Sequence, residues 1–114
     1  MAPTVVTRDG KVELVLGSAG SNRIRSALLQ TILGVVDGGL SVERAVRAPR
    51  VHFEDGVVYH EPGIDMDGVS RIGRRFVRFQ HLNLFFGGVQ AVERREGSIE
   101  GAGDPRRGGV AVRA

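Results

Sequence analysis

The sequence predicts an α+β fold with a largely antiparallel sheet and a packed pair of helices. Short strand-like segments recur around Asp-Gly and Glu-Gly pairs, which are typical of tight hairpins. Between the hairpins, two neighbouring segments carry apolar residues at helical spacing. The chain has 114 residues, and we expect residues 1–114 to form a single domain.

The first predicted hairpin joins strands at 4–7 and 12–16. Asp9-Gly10 lies between them, and this pair is favoured at the centre of a type I′ turn because both residues need positive φ. The second strand then leads through a glycine-bearing turn into a helix, for which Asn22 or Ser21 is the predicted N-cap.

The long helix is predicted from a buried stripe with i, i+3, i+4 spacing. Its members are Ile24, Ala27, Leu28, Thr31, Ile32, Val35 and Val36. Gly38-Gly39 predicts a left-handed stop. A second helix is predicted to begin near Ser41, to bury Val42, Ala45 and Val46, and to end before Pro49.

The second half of the chain predicts further hairpins. Strands are expected at 50–53 and 57–60 around Asp55-Gly56, and at 89–94 and 98–102 around Glu96-Gly97. Residues 64–75 indicate a helix of two to three turns broken by Gly68 and Gly73, and 76–79 alternates as a strand. The tail closes on a short apolar alternation at Val110 and Val112.

Composition excludes several classes of function. The net charge is +3, but the basic residues are scattered and form no run of five or more, so we expect no nucleic-acid partner. There is no cysteine, which excludes disulfides and thiolate metal sites. No apolar stretch is long enough to span a membrane, and residues 1–3 do not begin a signal peptide. We expect a soluble chain, cytoplasmic as given, whose parent protein could be exported.

The segment 13–24 (ELVLGSAGSNRI) joins a structural signal to a chemical one. A strand, a glycine turn and a helix start bring the backbone close to a ligand and direct free N–H groups towards negative charge. Neither the phosphate-binding Gly-Lys-Ser/Thr motif nor the dinucleotide Gly-x-Gly-x-x-Gly pattern is present. Two interpretations stay open on the residues alone: an anion or oxyanion site, or a tight turn without a ligand.

Other candidate sites have simpler interpretations. His52, His60 and His81 have no metal-ligand spacing, so we expect surface or half-buried histidines and neither metal nor cofactor. Asp65 to Gly68 lacks the later ligands of a calcium loop and is expected to be a polar turn. The turn 104–107 is expected to brace a neighbouring element, and Phe85-Phe86 to pack in the core.

Thr4 and Thr7 are the candidate nucleophiles to test first, because an N-terminal Thr can act as nucleophile and base in one residue. Removal of Met1 would expose Ala2 and not a Thr, and both threonines lie in a predicted strand. Neither is therefore expected to attack a substrate.

A series of motifs resembles the C-terminal part of the small subunit of γ-glutamyltransferases, also called γ-glutamyltranspeptidases. The motifs occur in the family's order at 1–6 (MAPTVV), 17–24 (GSAGSNRI), 45–52 (AVRAPRVH), 61–63 (EPG), 83–92 (NLFFGGVQAV) and 101–109 (GAGDPRRGG). The resemblance implies part of the four-layer αββα sandwich of N-terminal nucleophile hydrolases. It also implies a reaction in which an N-terminal Thr attacks a γ-glutamyl amide such as glutathione, before water or an amine accepts the γ-glutamyl group.

The resemblance carries one functional element onto this sequence. A Gly-Gly pair of the family's loop donates backbone N–H groups to the oxyanion, and the matching positions are Gly20 and Ser21. The family's Thr nucleophile, its carboxylate-binding arginine and a serine pair are expected upstream of residue 1, so we expect this chain alone to be inactive. The expected partner is a complementary chain that carries the Thr. The alternatives are a non-catalytic module that self-associates and a small anion-binding module.

Overall fold

A computed structural model describes residues 1–69, 71 and 75–113. Within these residues the chain forms seven strands: β1 (Thr4–Arg8), β2 (Lys11–Ala19), β3 (Val51–Glu54), β4 (Val57–His60), β5 (Arg75–Arg78), β6 (Gly88–Arg95) and β7 (Ser98–Gly103). The α-helices there are α1 (Ile24–Val36), α2 (Val42–Arg47) and α3 (Met66–Val69). Two 3-10 helices follow, at Leu84–Phe86 and Pro105–Arg107.

The strands form two sheets. The larger has the order β1-β2-β6-β7, and every neighbouring pair in it is antiparallel. The smaller has the order β3-β4-β5, in which β3 and β4 are antiparallel and β4 and β5 are parallel. The α+β class with a largely antiparallel sheet is confirmed, while the parallel pair was not predicted.

Local turn chemistry sets the three predicted hairpins. Asp9 and Gly10 have φ of 52° and 77°, as a type I′ turn requires. Asp55-Gly56 and Glu96-Gly97 repeat this geometry between β3 and β4 and between β6 and β7. The three turns are therefore confirmed, although the β2 ladder continues to Ala19, beyond the predicted end at residue 16.

Helices α1 and α2 pack on one face of the larger sheet and form the core with it. Of the predicted α1 stripe, Ala27, Leu28, Thr31 and Val35 are buried, but Val36 is exposed at the helix end. The predicted buried residues of α2 are all confirmed, and Ser41 caps that helix by accepting a hydrogen bond from the Arg44 amide. From the sheet, the core receives Leu14, Leu16, Val89, Ala91 and Ala102.

Several expectations about the second half of the chain are wrong or untested. The predicted helix at 64–75 is a single turn at Met66–Val69, with Gly68 inside it, and Gly73 lies outside the described residues. Arg50 is not a strand residue but lies buried just before β3. Val110 and Val112 are exposed and form no strand. In the described part of the chain, no helix is both long and apolar enough to cross a membrane.

Candidate active-site loop

The residues 20–23 connect the end of β2 to the start of α1, so the predicted order of strand, turn and helix is confirmed. Gly20 has a φ of 139°, a conformation that L side chains rarely adopt, so glycine is required there for its backbone freedom. Ser21 has no such constraint, because the non-glycine residues with positive φ in the described chain are Asp9, Asp55 and Glu96. A serine can therefore occupy position 21 without backbone strain.

The predicted side-chain cap of α1 is wrong. The N-cap residue is Arg23, in a right-handed helical conformation, and it makes no side-chain capping bond. The side chain of Ser21 is exposed, and the side-chain amide of Asn22 donates to Glu54 Oε1 at 3.1 Å instead of capping the helix. A cap bond would have occupied N–H groups of the first turn, so its absence leaves them available.

The backbone of the loop faces solvent at Gly20 and Ser21, and both residues are exposed. The Ser21 carbonyl accepts from the Ile24 amide at 3.2 Å. Neither amide nitrogen, at position 20 or 21, donates a backbone hydrogen bond within residues 1–69, 71 and 75–113. Chemically, such a turn ahead of a 13-residue helix can bind an anion through its N–H groups.

Arg23 anchors the loop to the segment that precedes β6. Its Nε donates to the Phe85 carbonyl at 3.0 Å, and its guanidinium lies 4.3 Å above the Phe85 ring. Phe85 also packs against Tyr59, Phe79 and Phe86, so the anchoring carbonyl belongs to an aromatic cluster. Phe86 is buried as predicted, while Phe85 is half-buried.

Gly87 brings the chain close to the loop. It has a φ of 82°, and a Cβ there would lie 3.1 Å from Ser18 Oγ and 3.2 Å from the Ala19 carbonyl oxygen. A Cβ on Gly20 would in turn lie 3.5 Å from Gly87 Cα. The two glycines therefore let the backbone segments pack directly on each other, and the position of the loop depends on residues 85–88.

A cluster of four buried, charged side chains lies against this segment and is hydrogen-bonded to it. Arg50 Nη2 lies 2.8 Å from Asp104 Oδ2, Arg106 Nη2 lies 2.5 Å from Glu61 Oε1, and Arg106 Nη1 lies 3.1 Å from Asp104 Oδ1. All four residues are buried, and the cluster is neutral because two arginines face two carboxylates. Hydrogen bonds to the remaining polar atoms offset part of the cost of burying such charges, although Arg50 Nε is buried without a partner among the described residues.

The cluster joins distant elements through backbone groups. Arg50 Nη1 donates to the carbonyls of Phe86 and Gly87 at 3.1 and 3.3 Å. Asp104 Oδ2 accepts from the Val89 amide at 2.8 Å, which fixes the start of β6. Both Arg50 and Arg106 donate to the Val46 carbonyl at the end of α2. The expectation that the turn at 104–107 braces a neighbour is thus confirmed.

The two arginines differ in their pKa values. Burial is the main reason that the pKa of Arg50 lies below its ordinary value, and the charge of Arg106 acts in the same direction. Burial also opposes the charged form of Arg106, but hydrogen bonds and charges of Glu61 and Asp104 outweigh it, so the pKa of Arg106 lies above its ordinary value. Both guanidinium groups are charged at neutral pH.

The histidines are placed differently from the prediction. His52 and His60 are buried, with exposed fractions of 6% and 7%. His52 Nδ1 lies 2.6 Å from Ser26 Oγ, and His60 Nδ1 lies 3.2 Å from the Glu61 carbonyl oxygen. His81 is exposed as expected. Among the described residues, no group of three or more His, Asp or Glu side chains is arranged to hold a metal ion. Asp65 Oδ1 accepts from the Asp67 amide, which makes 65–67 a polar turn.

The two threonines lie in β1, as predicted. Thr4 Oγ1 donates to the Ala2 carbonyl at 2.9 Å, which occupies its hydroxyl proton in a local bond.

Sequence reasoning missed the buried charge cluster and the contacts of Asn22. The available signal was that Arg50, Glu61 and Asp104 each adjoin a proline, in a chain that has four prolines in all. A charged residue next to a proline is typical of a turn, but the sequence does not show which turns lie next to each other in the fold.

The family model for gamma-glutamyltranspeptidase matches residues 1–114. The chain belongs to the γ-glutamyltranspeptidase family. A glutathione hydrolase proenzyme of Pseudomonas aeruginosa is 32% identical over 98% of this chain but only 21% of its own length. The chain thus spans about a fifth of the length of the curated relatives it matches.

Solved structures of the family have the same fold. Gamma-glutamyltranspeptidase from Pseudomonas nitroreducens is 34% identical, with a TM-score of 0.81 over all of this chain and 62% of that one. The Bacillus anthracis transpeptidase CapD is also 34% identical, with a TM-score of 0.81 over all of this chain and 70% of that one. The partial N-terminal nucleophile hydrolase sandwich expected from the sequence is therefore confirmed.

Proposed function

We propose that this chain supplies the oxyanion-binding loop and part of the scaffold of a γ-glutamyltransferase or γ-glutamyl hydrolase. The observation that supports this most is that the amides of Gly20 and Ser21 donate no backbone hydrogen bond in the part of the chain that the structure describes. They lie in the turn before α1, where Gly20 has a φ of 139°. In an acyl transfer, the substrate carbonyl oxygen gains negative charge as the nucleophile attacks. Two N–H groups held in advance at that oxygen lower the barrier.

The attacking threonine belongs, in this proposal, to polypeptide outside the 114 residues. It attacks the γ-carbonyl of a γ-glutamyl amide such as glutathione, and the amides of Gly20 and Ser21 donate to the oxygen of the tetrahedral intermediate. Collapse of that intermediate expels the amine and leaves an acyl-enzyme, which water or an acceptor amine then resolves. Because the relatives are proenzymes several times longer than this chain, a complementary chain fits the proposal.

An apolar row on the larger sheet supports association with that partner. Val5, Val15 and Val92 are direct neighbours across β1, β2 and β6, on the face that the helices leave uncovered. Their exposed fractions are 57%, 43% and 48%. A second sheet packed against this row would bury it, as in a sandwich of two sheets.

A mixing assay tests the proposal. The chain is combined with a complementary γ-glutamyltranspeptidase polypeptide, and hydrolysis of γ-glutamyl-p-nitroanilide is followed. Ser21→Pro removes the amide proton and should lower kcat by about 10²–10³, the usual effect of losing one oxyanion donor. Ser21→Gly keeps that proton and should be at least as active as the parent. Equal activity of the two variants would contradict the proposed donor, and turnover by the chain alone would contradict the missing nucleophile.

Self-association is a second candidate, and the same apolar row favours it. Two copies could pair through these exposed valines or through the edge strands β1 and β7. Sedimentation of the chain alone tests self-association, since a chain that stays monomeric at all concentrations would exclude a dimer. Titration with glutamate or phosphate, read by NMR at the amides of Gly20 and Ser21, tests simple anion binding.

A further inference from the structure

A chain of side-chain hydrogen bonds runs beside the loop. The Asn22 amide donates to Glu54 Oε1 at 3.1 Å, and Glu54 Oε2 lies 3.3 Å from His52 Nε2. The other ring nitrogen, His52 Nδ1, lies 2.6 Å from Ser26 Oγ. Asn22 and Ser26 belong to the loop and the first turn of α1, whereas His52 and Glu54 belong to β3.

These bonds close a ring around the start of α1. His52 and Glu54 are alternate residues of one strand, so their side chains leave the same face of β3. The ring therefore ties Asn22, next to Ser21, and Ser26 to a single rigid element of the smaller sheet. The helix has no side-chain cap of its own, and this ring fixes its first turn without occupying the amides of Gly20 and Ser21.

The proton positions follow from the partners. A Glu54 carboxylate can only accept, so the bond from His52 places a proton on Nε2. In the tautomer that leaves Nδ1 unprotonated, this nitrogen accepts the hydroxyl proton of Ser26. Glu54 accepts two bonds at once, one on each oxygen. A leucine in its place has nearly the same size but neither a donor nor an acceptor, so both bonds are lost.

We propose that His52 and Glu54 are positioning residues of the oxyanion loop: they set where the amides of Gly20 and Ser21 lie and do not touch the substrate. This inference rests on the proposed function. The loop is also held by Arg23, which donates to the Phe85 carbonyl, so β3 supplies the second of two anchors. A displacement of about 1 Å in a catalytic group can cost about 10²-fold in rate, which makes such anchoring kinetically visible.

The first test is Glu54→Leu. In the assembled enzyme we expect kcat to fall about tenfold while KM changes less than about twofold, because transition-state donors move and substrate contacts stay. In the 114-residue chain we expect ¹⁵N shifts of the His52 ring to report a changed tautomer, and the amide signals of Gly20 and Ser21 to move. Glu43→Leu is the matched control, since it removes the same charge from an ion pair with Arg47 on α2.

The second test exchanges two side chains. In N22D/E54Q, the new amide at position 54 can donate to the new carboxylate at position 22, and its oxygen can accept from His52 Nε2, so the ring re-forms with reversed polarity. We expect this double variant to recover at least about half of the lost kcat, together with the parent His52 ring signals. A Glu54→Leu enzyme with parental kcat, or a loss that the double variant does not recover, would overturn the inference.

The NMR measurements separate this inference from the proposed function. If the assembled parent enzyme is inactive, the proposed function fails, but shifted Gly20 and Ser21 amide signals in Glu54→Leu that return to their parent positions in the double variant still support positioning by β3. If the parent enzyme is active and those signals do not move, the positioning role is overturned and the oxyanion proposal stands. Should Glu54→Leu fail to fold, a folded double variant with parental ring signals supports the ring, and an unfolded one overturns it.

Discussion

Glu61→Gln tests the buried charge cluster most directly. Glu61 is fully buried and accepts four hydrogen bonds: from the amides of Arg50 and Asn83 at 2.8 Å each, and from Arg106 Nε and Nη2 at 2.8 and 2.5 Å. Glutamine keeps the shape of the side chain but replaces one acceptor oxygen by an NH2 group. The donors that face this group then lose their acceptor. The change also leaves the cluster with a net positive charge away from water.

The expected cost follows from these losses. Removing one partner of a buried ion pair typically destabilises a protein by about 3–5 kcal/mol. For a domain of this size, each kcal/mol lost from the free energy of unfolding lowers the melting temperature by about 4 °C. The variant should therefore melt about 12–20 °C lower. Because the whole stability of a domain is about 5–15 kcal/mol, Glu61→Gln should bring the chain close to unfolding.

Urea and thermal unfolding of the chain, followed by circular dichroism, measure this cost. Glu43→Gln, at an exposed pair on α2, should change the free energy of unfolding by no more than about 0.5 kcal/mol. In the double variant Glu61→Gln/Arg106→Gln neutrality returns, so its cost should be lower than the sum of the two single costs by at least about 1 kcal/mol. A cost below about 1 kcal/mol for Glu61→Gln, or additive costs, would refute the reasoning that the four charges act as one unit.

Three further predictions concern the loop and the exposed sheet face. Gly20→Ala forces a side chain into a φ of 139° and should lower the free energy of unfolding by about 1–3 kcal/mol, whereas Gly17→Ala, in an ordinary conformation, should cost less in the same urea titration. Arg23→Lys removes the Nε bond to the Phe85 carbonyl and the planar contact with its ring. It should lower kcat of the assembled enzyme about tenfold with little change in the free energy of unfolding. An unchanged kcat would show that this anchor is dispensable. Val92→Lys places a charge in the apolar row and should weaken binding of the complementary chain at least about tenfold by sedimentation, while unaltered binding would place the partner elsewhere.

Short-range chemistry explains what the sequence predicted well. The hairpin at Asp9-Gly10 follows from two residues that adopt positive φ, and the start of α2 follows from Ser41, whose hydroxyl accepts from the Arg44 amide three residues later. The α1 stripe follows from a repeat of three and four residues. Each of these features depends on residues that are close together in the sequence, so it can be predicted without knowledge of the fold.

The failed N-cap of α1 shows where local signals stop deciding. Asn22 is a good capping residue by its chemistry, but Glu54 lies 32 positions away in the sequence and offers a charged acceptor in space. A charge-assisted bond is stronger than a neutral cap, so the tertiary contact determines the side chain's position. The burial of His52 has the same origin, because its partner Ser26 comes from another element.

The sequence by itself determined the class of fold, the turns, the core faces of the helices and, through motifs spread over the whole chain, the family. Only the tertiary structure decided that Arg50, Glu61, Asp104 and Arg106 form one neutral buried cluster and that β3 holds the start of α1. The physical reason is distance: propensities and periodicities act between neighbours in the chain. The partner of a buried charge, by contrast, is known only when the segments that carry the two charges are packed together.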